Sequence, residues 1–270
     1  MSTPAPALAH ALRDHLTMLR RHLLHARRYP SLTLNVLLTP VVLLLLFVYV
    51  FGDVMSAGLT GGSGGGRGDY LAYLVPGILL MTVGGTALGT AVSVATDMTE
   101  GIVARFRTMA ISRASVLTGH AAGSVLQTMG ALTLVLALAL ALGFRPDATP
   151  VEWLAAAGLL VLVSLALTWV AVGVGLTSPH PEGASNTGLP LMMLPFLSSA
   201  FVPVAAMPGW FRPFAEYQPF SPAIETLRGL LVGSGIGTVD AVLALAWPVS
   251  LVVLGYCWSR ARFLREPRQH

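Results

Sequence analysis

Six apolar runs constrain this chain most, because each has about the length that crosses a lipid bilayer. The runs cover residues 32–51, 70–95, 119–144, 153–177, 188–204 and 241–258. A membrane-spanning helix needs about 20 mostly apolar residues, and the prolines of the fifth run can be accommodated at a kink. We therefore predict an all-α integral membrane protein with six transmembrane helices.

The stretches outside these runs are too short for a separate soluble domain. With 54% hydrophobic and 10% charged residues over 270 positions, the chain has a mean hydropathy of +0.73, as integral membrane proteins do. The longest other stretches are the first 30 residues and about 205–240, and neither reaches the size of an ordinary core. We therefore expect an N-terminal segment over residues 1–30 and one membrane domain over 31–270.

The arginines predict the orientation of the spans. Five arginines precede the first run, three lie between the second and third, and four follow the sixth, whereas the remaining loops hold four. Short cytoplasmic loops carry an excess of positive charge. We therefore expect both termini, and the loop between the second and third spans, on the cytoplasmic side.

The chain lacks the motifs of several catalytic and transport mechanisms. All sixteen basic residues are arginine, so a P-loop of the G-x-x-x-x-G-K-[ST] type, which needs a lysine, cannot be present. The glycine-rich stretch over 60–70 is typical of a flexible external linker, and no H-E-x-x-H zinc motif occurs. No charged residue lies near the centre of a run, as a proton-coupled carrier would usually require. We expect no enzymatic activity, metal or cofactor on this chain.

The first 30 residues predict a helix that lies along the cytoplasmic membrane surface. Five leucines fall on one face, within an arc of about 80° at 3.6 residues per turn. They are Leu8, Leu12, Leu16, Leu19 and Leu23. Arginines flank this stripe, and leucines suit the acyl boundary while arginines suit anionic headgroups. Packing of the same helix against loops of the protein is an alternative, and both can hold together.

Residues 97–113, DMTEGIVARFRTMAISR, carry five formal charges and must lie outside the hydrocarbon layer. Each charge at the bilayer centre would cost roughly 2.5 to 3.5 kcal/mol. Ile102, Phe106 and Met109 recur at helical spacing, which predicts a short amphipathic helix that Thr99 can cap. The residues alone leave two interpretations open: a contact helix for a cytoplasmic partner, or a plain surface helix.

Residues 205–228 are apolar but interrupted by four prolines. These are Pro208, Pro213, Pro219 and Pro222. The stretch is too broken for a span and too hydrophobic for a free loop, so we predict a re-entrant pair of short helices that enters from the external face. Glu216 and Arg228 are expected at its aqueous edge.

The second run contains a G-x-x-x-G pattern formed by Gly85 and Gly89. This spacing allows two membrane helices to approach closely. The partner helix belongs either to a second copy of the chain or to the same subunit, and the sequence leaves both open.

Two blocks of residues carry a family resemblance. The first block is Glu100-Gly101, Arg105-Phe106-Arg107 and Ile111-Ser112-Arg113. The second is Phe201-Val202-Pro203, Met207-Pro208-Gly209-Trp210, Pro219, Ser221-Pro222 and Arg228-Gly229. Together with six spans and a basic N-terminal helix, these blocks resemble ABC-2 type transporter permeases, in particular the daunorubicin/doxorubicin resistance permeases.

The resemblance implies a permease half-unit of an exporter in the plasma (inner) membrane. Two copies, or one copy and a related permease, would pair with a separate cytoplasmic ABC ATPase subunit that binds ATP and magnesium. A small hydrophobic substrate and the lipid bilayer are further expected partners, and nucleic acid is not.

The resemblance also assigns residues to two sites. Residues 97–113 become a coupling helix whose ATPase contacts are Glu100, Gly101, Arg105, Phe106, Arg107, Ser112 and Arg113. The external gate and re-entrant region comprise Phe201, Pro203, Met207, Pro208, Trp210, Pro219 and Arg228.

An apolar, adaptable set of side chains on the second and fifth spans is a candidate substrate path. The set is Met81, Thr82, Met192, Met193 and Phe196. Such residues suit hydrophobic compounds, and they suit plain helix packing equally. The overall resemblance favours a drug-like or lipid-like compound. The alternatives are a polysaccharide or glycolipid exporter, an ATP-independent secondary carrier, and a membrane-anchored interaction protein.

Overall fold

The computed structural model describes residues 30–52, 67–100 and 113–264, and this part of the chain contains helices, turns and loops but no β-strand. The helices are α1 Pro30–Val50, α2 Arg67–Thr99, α3 Arg113–Ala141, α4 Pro150–Thr177, α5 Pro181–Met193, α6 Arg212–Tyr217, α7 Phe220–Val232 and α8 Thr238–Leu264. Two short 3-10 helices, Leu194–Leu197 and Val204–Ala206, lie between α5 and α6. The prediction of an all-α chain is confirmed for the described residues. The predicted N-terminal interfacial helix lies outside them.

Four of the helices are long and apolar enough to cross a membrane. These segments are Gly68–Thr99, Ala121–Ala141, Pro150–Thr177 and Thr238–Phe263. A shorter apolar stretch, Leu38–Val50, belongs to α1. The chain is therefore a multi-pass membrane protein, and the count of six spans stays a prediction.

The predicted fifth span, 188–204, differs from the helix that the structure shows. α5 begins earlier, at Pro181, and its 13 residues are followed by the 3-10 helix Leu194–Leu197. A 13-residue α-helix is roughly 20 Å long, against about 30 Å of hydrocarbon. Pro195 lies in the first turn of the 3-10 helix, where a missing N–H and a fixed φ end α-helical bonding. The apolar run continues past the end of α5, because the residues that follow are apolar although they are not α-helical.

Helix α2 lies at the centre of the packing. It contacts α1, α3, α4, α5 and α7, and 78% of its most apolar stretch is buried. For α8 the corresponding fraction is 17%, and exposed side chains such as Val242 and Leu254 form an apolar surface suited to lipid. Elements that contact α2 are therefore held against a buried helix, whereas α8 lies at the periphery.

Glycines allow the closest approaches to α2. A Cβ atom on Gly84 would lie 2.5 Å from the carbonyl oxygen of Leu191, next to the end of α5. A Cβ atom on Gly175 of α4 would lie 2.6 Å from the carbonyl oxygen of Ala91. Gly85 of the G-x-x-x-G pattern has no described atom within 4 Å of its Cβ position. Within the described chain, close packing therefore uses Gly84, one residue before the pattern begins.

Candidate functional site

Helix α7 positions Arg228, the one buried charged side chain among those that the structure describes. The helix begins after Pro219 and ends at Gly233, whose φ of +73° is in the left-handed region that glycine adopts without strain. Ten of its residues are buried, and it packs against α2, α4 and α8. Arg228 is therefore held inside the protein with 7% of its surface exposed. Glu216 is exposed, and the placement of Glu216 and Arg228 at an aqueous edge stays a prediction.

The guanidinium of Arg228 joins three separate segments. Its Nη1 donates to Glu225 Oε2 at 2.6 Å within α7. Its Nη2 donates to the carbonyl oxygens of Tyr73 in α2, at 3.2 Å, and of Ser199, at 3.1 Å. The guanidinium carbon also lies 3.9 Å from the centroid of the Tyr73 ring. These contacts supply the ion pair and hydrogen bonds that a buried charge requires.

The backbone of Ser199 is held from both sides. Its carbonyl oxygen accepts from the Tyr73 hydroxyl at 2.9 Å as well as from Arg228, and its N–H donates to the Ser221 hydroxyl at 3.1 Å. Ser221 in turn donates to the carbonyl oxygen of Ala215. Two buried polar atoms of this cluster, Arg228 Nε and Ser199 Oγ, have no hydrogen-bond partner.

An open cavity of about 470 Å³ lies beside the cluster. Its charged lining consists of the carboxylates of Glu216, Glu225 and Asp240 and the guanidinium groups of Arg212 and Arg228. Its remaining wall is Tyr73, Ser221 and the apolar stretch 203–205. Arg212, the first residue of α6, donates to the carbonyl oxygens of Ala205 and Met207, so it joins α6 to the 3-10 helix that precedes it. The cavity thus lies where α6, α7, α8 and residues 203–205 meet α2.

Three phenylalanines stack on one side of this region. The ring centroids of Phe196 and Phe201 are 5.1 Å apart, and those of Phe201 and Phe47 in α1 are 4.7 Å apart, both with interplanar angles of 20°. The structure therefore brings a predicted gate residue and a predicted path residue together. Phe47 was missed by sequence reasoning, because nothing local to α1 marks it among its apolar neighbours.

The other predicted gate residues have different surroundings. Pro203 lines the cavity, and Pro219 is the residue before the first turn of α7. Met207 is half-buried and Pro208 is exposed. Trp210 is 83% exposed, contacts the ring of Phe211 and does not line the cavity. The seven residues predicted for the external gate therefore do not form a single cluster of contacting side chains.

The predicted substrate-path residues also differ in exposure. Met81 and Thr82 are buried in α2, where the Thr82 hydroxyl donates to the carbonyl oxygen of Ile78 at 2.8 Å. Met192 is half-buried against the core, whereas Met193 and Phe196 are exposed. For Met81 and Thr82 the structure shows helix packing.

Hydroxyl pairs join α2 to α3. The hydroxyl oxygens of Thr86 and Thr128 lie 2.9 Å apart, and those of Thr90 and Ser124 lie 3.0 Å apart. We call these four residues the hydroxyl seam. All four are buried. The sequence signal for this seam is the recurrence of threonine at four-residue spacing in the second run. These residues are uncharged, so a prediction based on charged groups does not include them.

The seam lies in the half of α2 that leads to the predicted coupling segment, and at or before the middle turn of α3. α2 ends at Thr99 and α3 begins at Arg113. The Thr99 hydroxyl donates to the carbonyl oxygen of Thr96 within α2, and the helix that Thr99 is predicted to cap lies outside the described residues. Glu100 is exposed just after α2. Gly101, Arg105, Phe106, Arg107 and Ser112 lie outside the described residues.

Comparisons with known proteins identify the family of this chain. The family model "ABC-2 type transporter" matches residues 14–232. The chain is 30% identical over 250 residues to the daunorubicin resistance ABC transporter permease protein DrrB1 of Streptomyces coeruleorubidus, covering 92% of this chain and 85% of that protein. It is 25% identical over 244 residues to the doxorubicin resistance ABC transporter permease protein DrrB of Mycobacterium tuberculosis, covering 85% and 80%. It is 24% identical over 237 residues to the putative transport permease ycf38 of Pyropia yezoensis, covering 85% and 78%. The chain therefore belongs to the ABC-2 type transporter family.

Proposed function

We propose that this chain is the permease subunit of an ATP-binding cassette exporter that moves a hydrophobic, drug-like or lipid-like compound out of the cell. The match to the ABC-2 type transporter family over residues 14–232 carries the proposal. Relatives named as daunorubicin and doxorubicin resistance permeases support the drug-like class. Four apolar helices of spanning length supply the membrane part of such a subunit.

The energy for export comes from a second polypeptide. The chain contains no lysine, so it has no P-loop, and ATP and magnesium bind to a cytoplasmic ABC ATPase subunit. Two permease copies, or one copy and a related permease, assemble with two such subunits in the plasma membrane. Both termini face the cytoplasm, because the arginine-rich segments lie on that side.

The coupling segment, residues 97–113, transmits the movement of the ATPase subunits. α2 and α3 lead into and out of this segment, and the hydroxyl seam ties these helices together between their middles and the segment. From Thr99 to Tyr73, α2 extends roughly 39 Å at 1.5 Å per residue. A displacement at Thr99 is therefore carried by one helix to Tyr73, where α2 meets Arg228.

The region around Arg228 forms the external gate. α6 and α7 are a pair of short helices before the last span, as a re-entrant segment requires, and α7 is buried against α2. The cavity is lined in part by α7, and Phe201 of the phenylalanine stack lies two residues after Ser199, which Arg228 contacts. Alternation between two arrangements of such a packed region is the usual basis of switching in proteins.

Reconstitution with the ATPase subunit tests the proposal. The chain is co-purified with a candidate ABC ATPase subunit, reconstituted in liposomes, and given ATP with daunorubicin, a fluorescent phospholipid or a lipid-linked oligosaccharide. ATP-dependent movement of daunorubicin or the phospholipid is the expected result, and it should disappear when the P-loop lysine of the ATPase is replaced. Movement of the oligosaccharide alone would favour a glycolipid exporter. Movement that follows a proton gradient without ATP would favour a secondary carrier and overturn the proposal.

A further inference from the structure

We propose that the outward face of α6 anchors the protein in the outer leaflet of the membrane, where aromatic rings contact lipid between the headgroups and the acyl chains. The aromatic patch that makes this contact consists of Trp210, Phe214, Tyr217 and Trp247. Trp210 belongs to the second family block but does not line the cavity, so the proposed gate gives it no role. The inference goes beyond the proposed function and takes from it only which side of the membrane is outside.

The first support is that large aromatic rings are exposed together. Trp210 is 83% exposed, and Phe214, Tyr217 and Trp247 are exposed as well. The ring centroid of Phe211 lies 5.5 Å from that of Trp210 and 5.5 Å from that of Phe214, so these rings form one continuous surface. A contiguous apolar surface of this kind marks a contact with a protein or a membrane.

The second support is that α6 has two different faces. Arg212 and Glu216 lie one turn apart and line the open cavity. Phe214 lies about 200° from Glu216 around the helix, and Tyr217 is exposed three residues after Phe214. A helix with a charged face toward water and an aromatic face away from it is typical of a segment that lies at a membrane interface. The direction in which the aromatic patch points is therefore away from the cavity.

The third support is the depth at which α6 ends. Asp240 and Arg260 of α8 are twenty residues apart with no charged residue between them, which is about 30 Å of helix and matches the thickness of the hydrocarbon layer. The outer boundary of this layer is therefore near Asp240. Trp247 lies roughly 10 Å further along α8, and its Nε1 donates to the carbonyl oxygen of Tyr217 at 3.0 Å. The end of α6 thus lies within the outer half of the bilayer.

The fourth support is that the aromatic patch continues the exposed apolar surface of α8. Trp247 and Leu254 lie two turns apart on the same side of α8, and both are exposed. The Tyr217 carbonyl oxygen next to this surface is hydrogen-bonded to Trp247, as contact with lipid requires. Tryptophan and tyrosine suit the interface because each combines an apolar ring with one polar group. The lipid that α8 faces therefore extends over the aromatic patch.

The test compares two positions on opposite faces of α6. Cys257, the one cysteine of the chain, is replaced by serine, and Phe214→Cys and Glu216→Cys each carry a nitroxide label. The full chain is reconstituted in phosphatidylcholine vesicles, and collisions of the label with oxygen, which concentrates in hydrocarbon, and with a water-soluble nickel chelate are measured. The ratio of oxygen to nickel collisions should be several-fold higher at Phe214→Cys than at Glu216→Cys. Val242→Cys, on the exposed surface of α8, gives the reference value for lipid contact.

Two results would overturn the inference. Equal ratios at the two positions of α6, with nickel collisions prevailing at both, would show that the aromatic face lies in water. A label at Phe214→Cys that collides with neither reagent would show that protein, such as a second copy of the chain, covers the face in place of lipid.

Tryptophan fluorescence gives a second measurement that needs no label. The chain has five tryptophans, and the difference between the unsubstituted protein and Trp210→Phe isolates the emission of Trp210. This emission should be quenched more by lipids brominated near the glycerol end of the acyl chain than by aqueous iodide. Trp169→Phe is the control, because Trp169 is buried and its emission should respond to neither quencher. Quenching of Trp210 by iodide and not by lipid would overturn the inference.

Neither measurement requires ATP or transport. Failure of the lipid contact is therefore distinct from failure of the proposed function, which shows as absence of ATP-driven compound movement in the unsubstituted complex.

Discussion

The hydroxyl oxygens of Thr128 and Thr86 lie 2.9 Å apart across the buried interface between α3 and α2. The Thr86 hydroxyl also lies 2.9 Å from the carbonyl oxygen of Val83, and the Thr128 hydroxyl lies 2.8 Å from that of Ser124, so the contact between the helices shares its hydrogen with a carbonyl oxygen of one helix. A second pair, Thr90 and Ser124, repeats the contact one turn nearer the end of α2. The two helices that flank residues 97–113 are thus joined by directional contacts as well as by apolar packing.

Removal of the Thr86–Thr128 contact should lower stability by a small, measurable amount. Interhelical hydrogen bonds in membrane proteins contribute about 0.6 kcal/mol on average and up to about 1.7 kcal/mol. Thr86→Val and Thr128→Val should each lower the free energy of unfolding by roughly this much, and the double variant by less than the sum, because both remove one contact. Unfolding of the purified protein in mixed detergent measures all three values.

Thr133→Val is the control for the seam. Thr133 lies on α3, is exposed, and donates to the carbonyl oxygen of Met129 in its own helix. Its replacement should leave stability nearly unchanged. Equal losses at Thr133 and Thr128, or strict additivity of the Thr86 and Thr128 variants, would contradict a stabilising seam.

A methyl group should be tolerated at Gly85 and not at Gly84. At Gly84 the added Cβ would lie 2.5 Å from the carbonyl oxygen of Leu191, so α5 must shift, and overpacking of this kind costs about 1 to 3 kcal/mol. At Gly85 the space is open, and alanine is favoured over glycine in a helix by roughly 0.5 to 1 kcal/mol. Melting temperatures of Gly84→Ala and Gly85→Ala in detergent should therefore move in opposite directions. A drop at Gly85 that occurs only in the assembled complex would instead place that glycine at a contact between subunits.

Glu100 and Arg107 should be required for association with the ATPase subunit. Glu100 is exposed directly after α2, and Arg107 lies in the predicted coupling segment. Glu100→Ala and Arg107→Ala should reduce both the ATPase recovered with the chain and the stimulation of ATP hydrolysis. Arg260→Ala, which removes an exposed arginine at the end of α8, serves as a control for charge on the same predicted side of the membrane. Unchanged recovery and stimulation in both coupling variants would show that residues 97–113 are not the contact.

Helix ends were predictable where local chemistry marks them. α4 begins at Pro150 with Thr149 as N-cap and Glu152 completing a capping box, a pattern that can be read directly from the letters. The run over 188–204 offers no such guide, because hydropathy does not distinguish an α-helix from an apolar turn that follows a proline. The end of α5 therefore depends on backbone bonding that Pro195 interrupts.

The candidate site was only partly predictable. The residue types of the second family block pointed to Arg228 and Phe201, but their partners Tyr73 and Phe47 lie on α2 and α1, far away in sequence. Such pairings depend on how the helices pack, and no spacing rule within a single run contains that information. A charged residue in an apolar stretch predicts that a partner exists, without showing which one.

Truncation of Phe201 should destabilise the protein more than truncation of an exposed phenylalanine. Phe201 is 9% exposed and stacks with both Phe47 and Phe196, and each aromatic pair contributes about 0.5 to 1.5 kcal/mol beyond burial. Phe201→Ala should therefore lower the free energy of unfolding by at least about 1 to 3 kcal/mol, the sum over two such pairs. Phe214→Ala removes a ring that is 49% exposed and should have a much smaller effect. Unfolding in mixed detergent gives both values, and recovery of the ATPase subunit should be unaffected in either variant, because neither residue lies in the coupling segment. A loss at Phe214 as large as that at Phe201 would show that the stack does not hold α1 against the turn after α5.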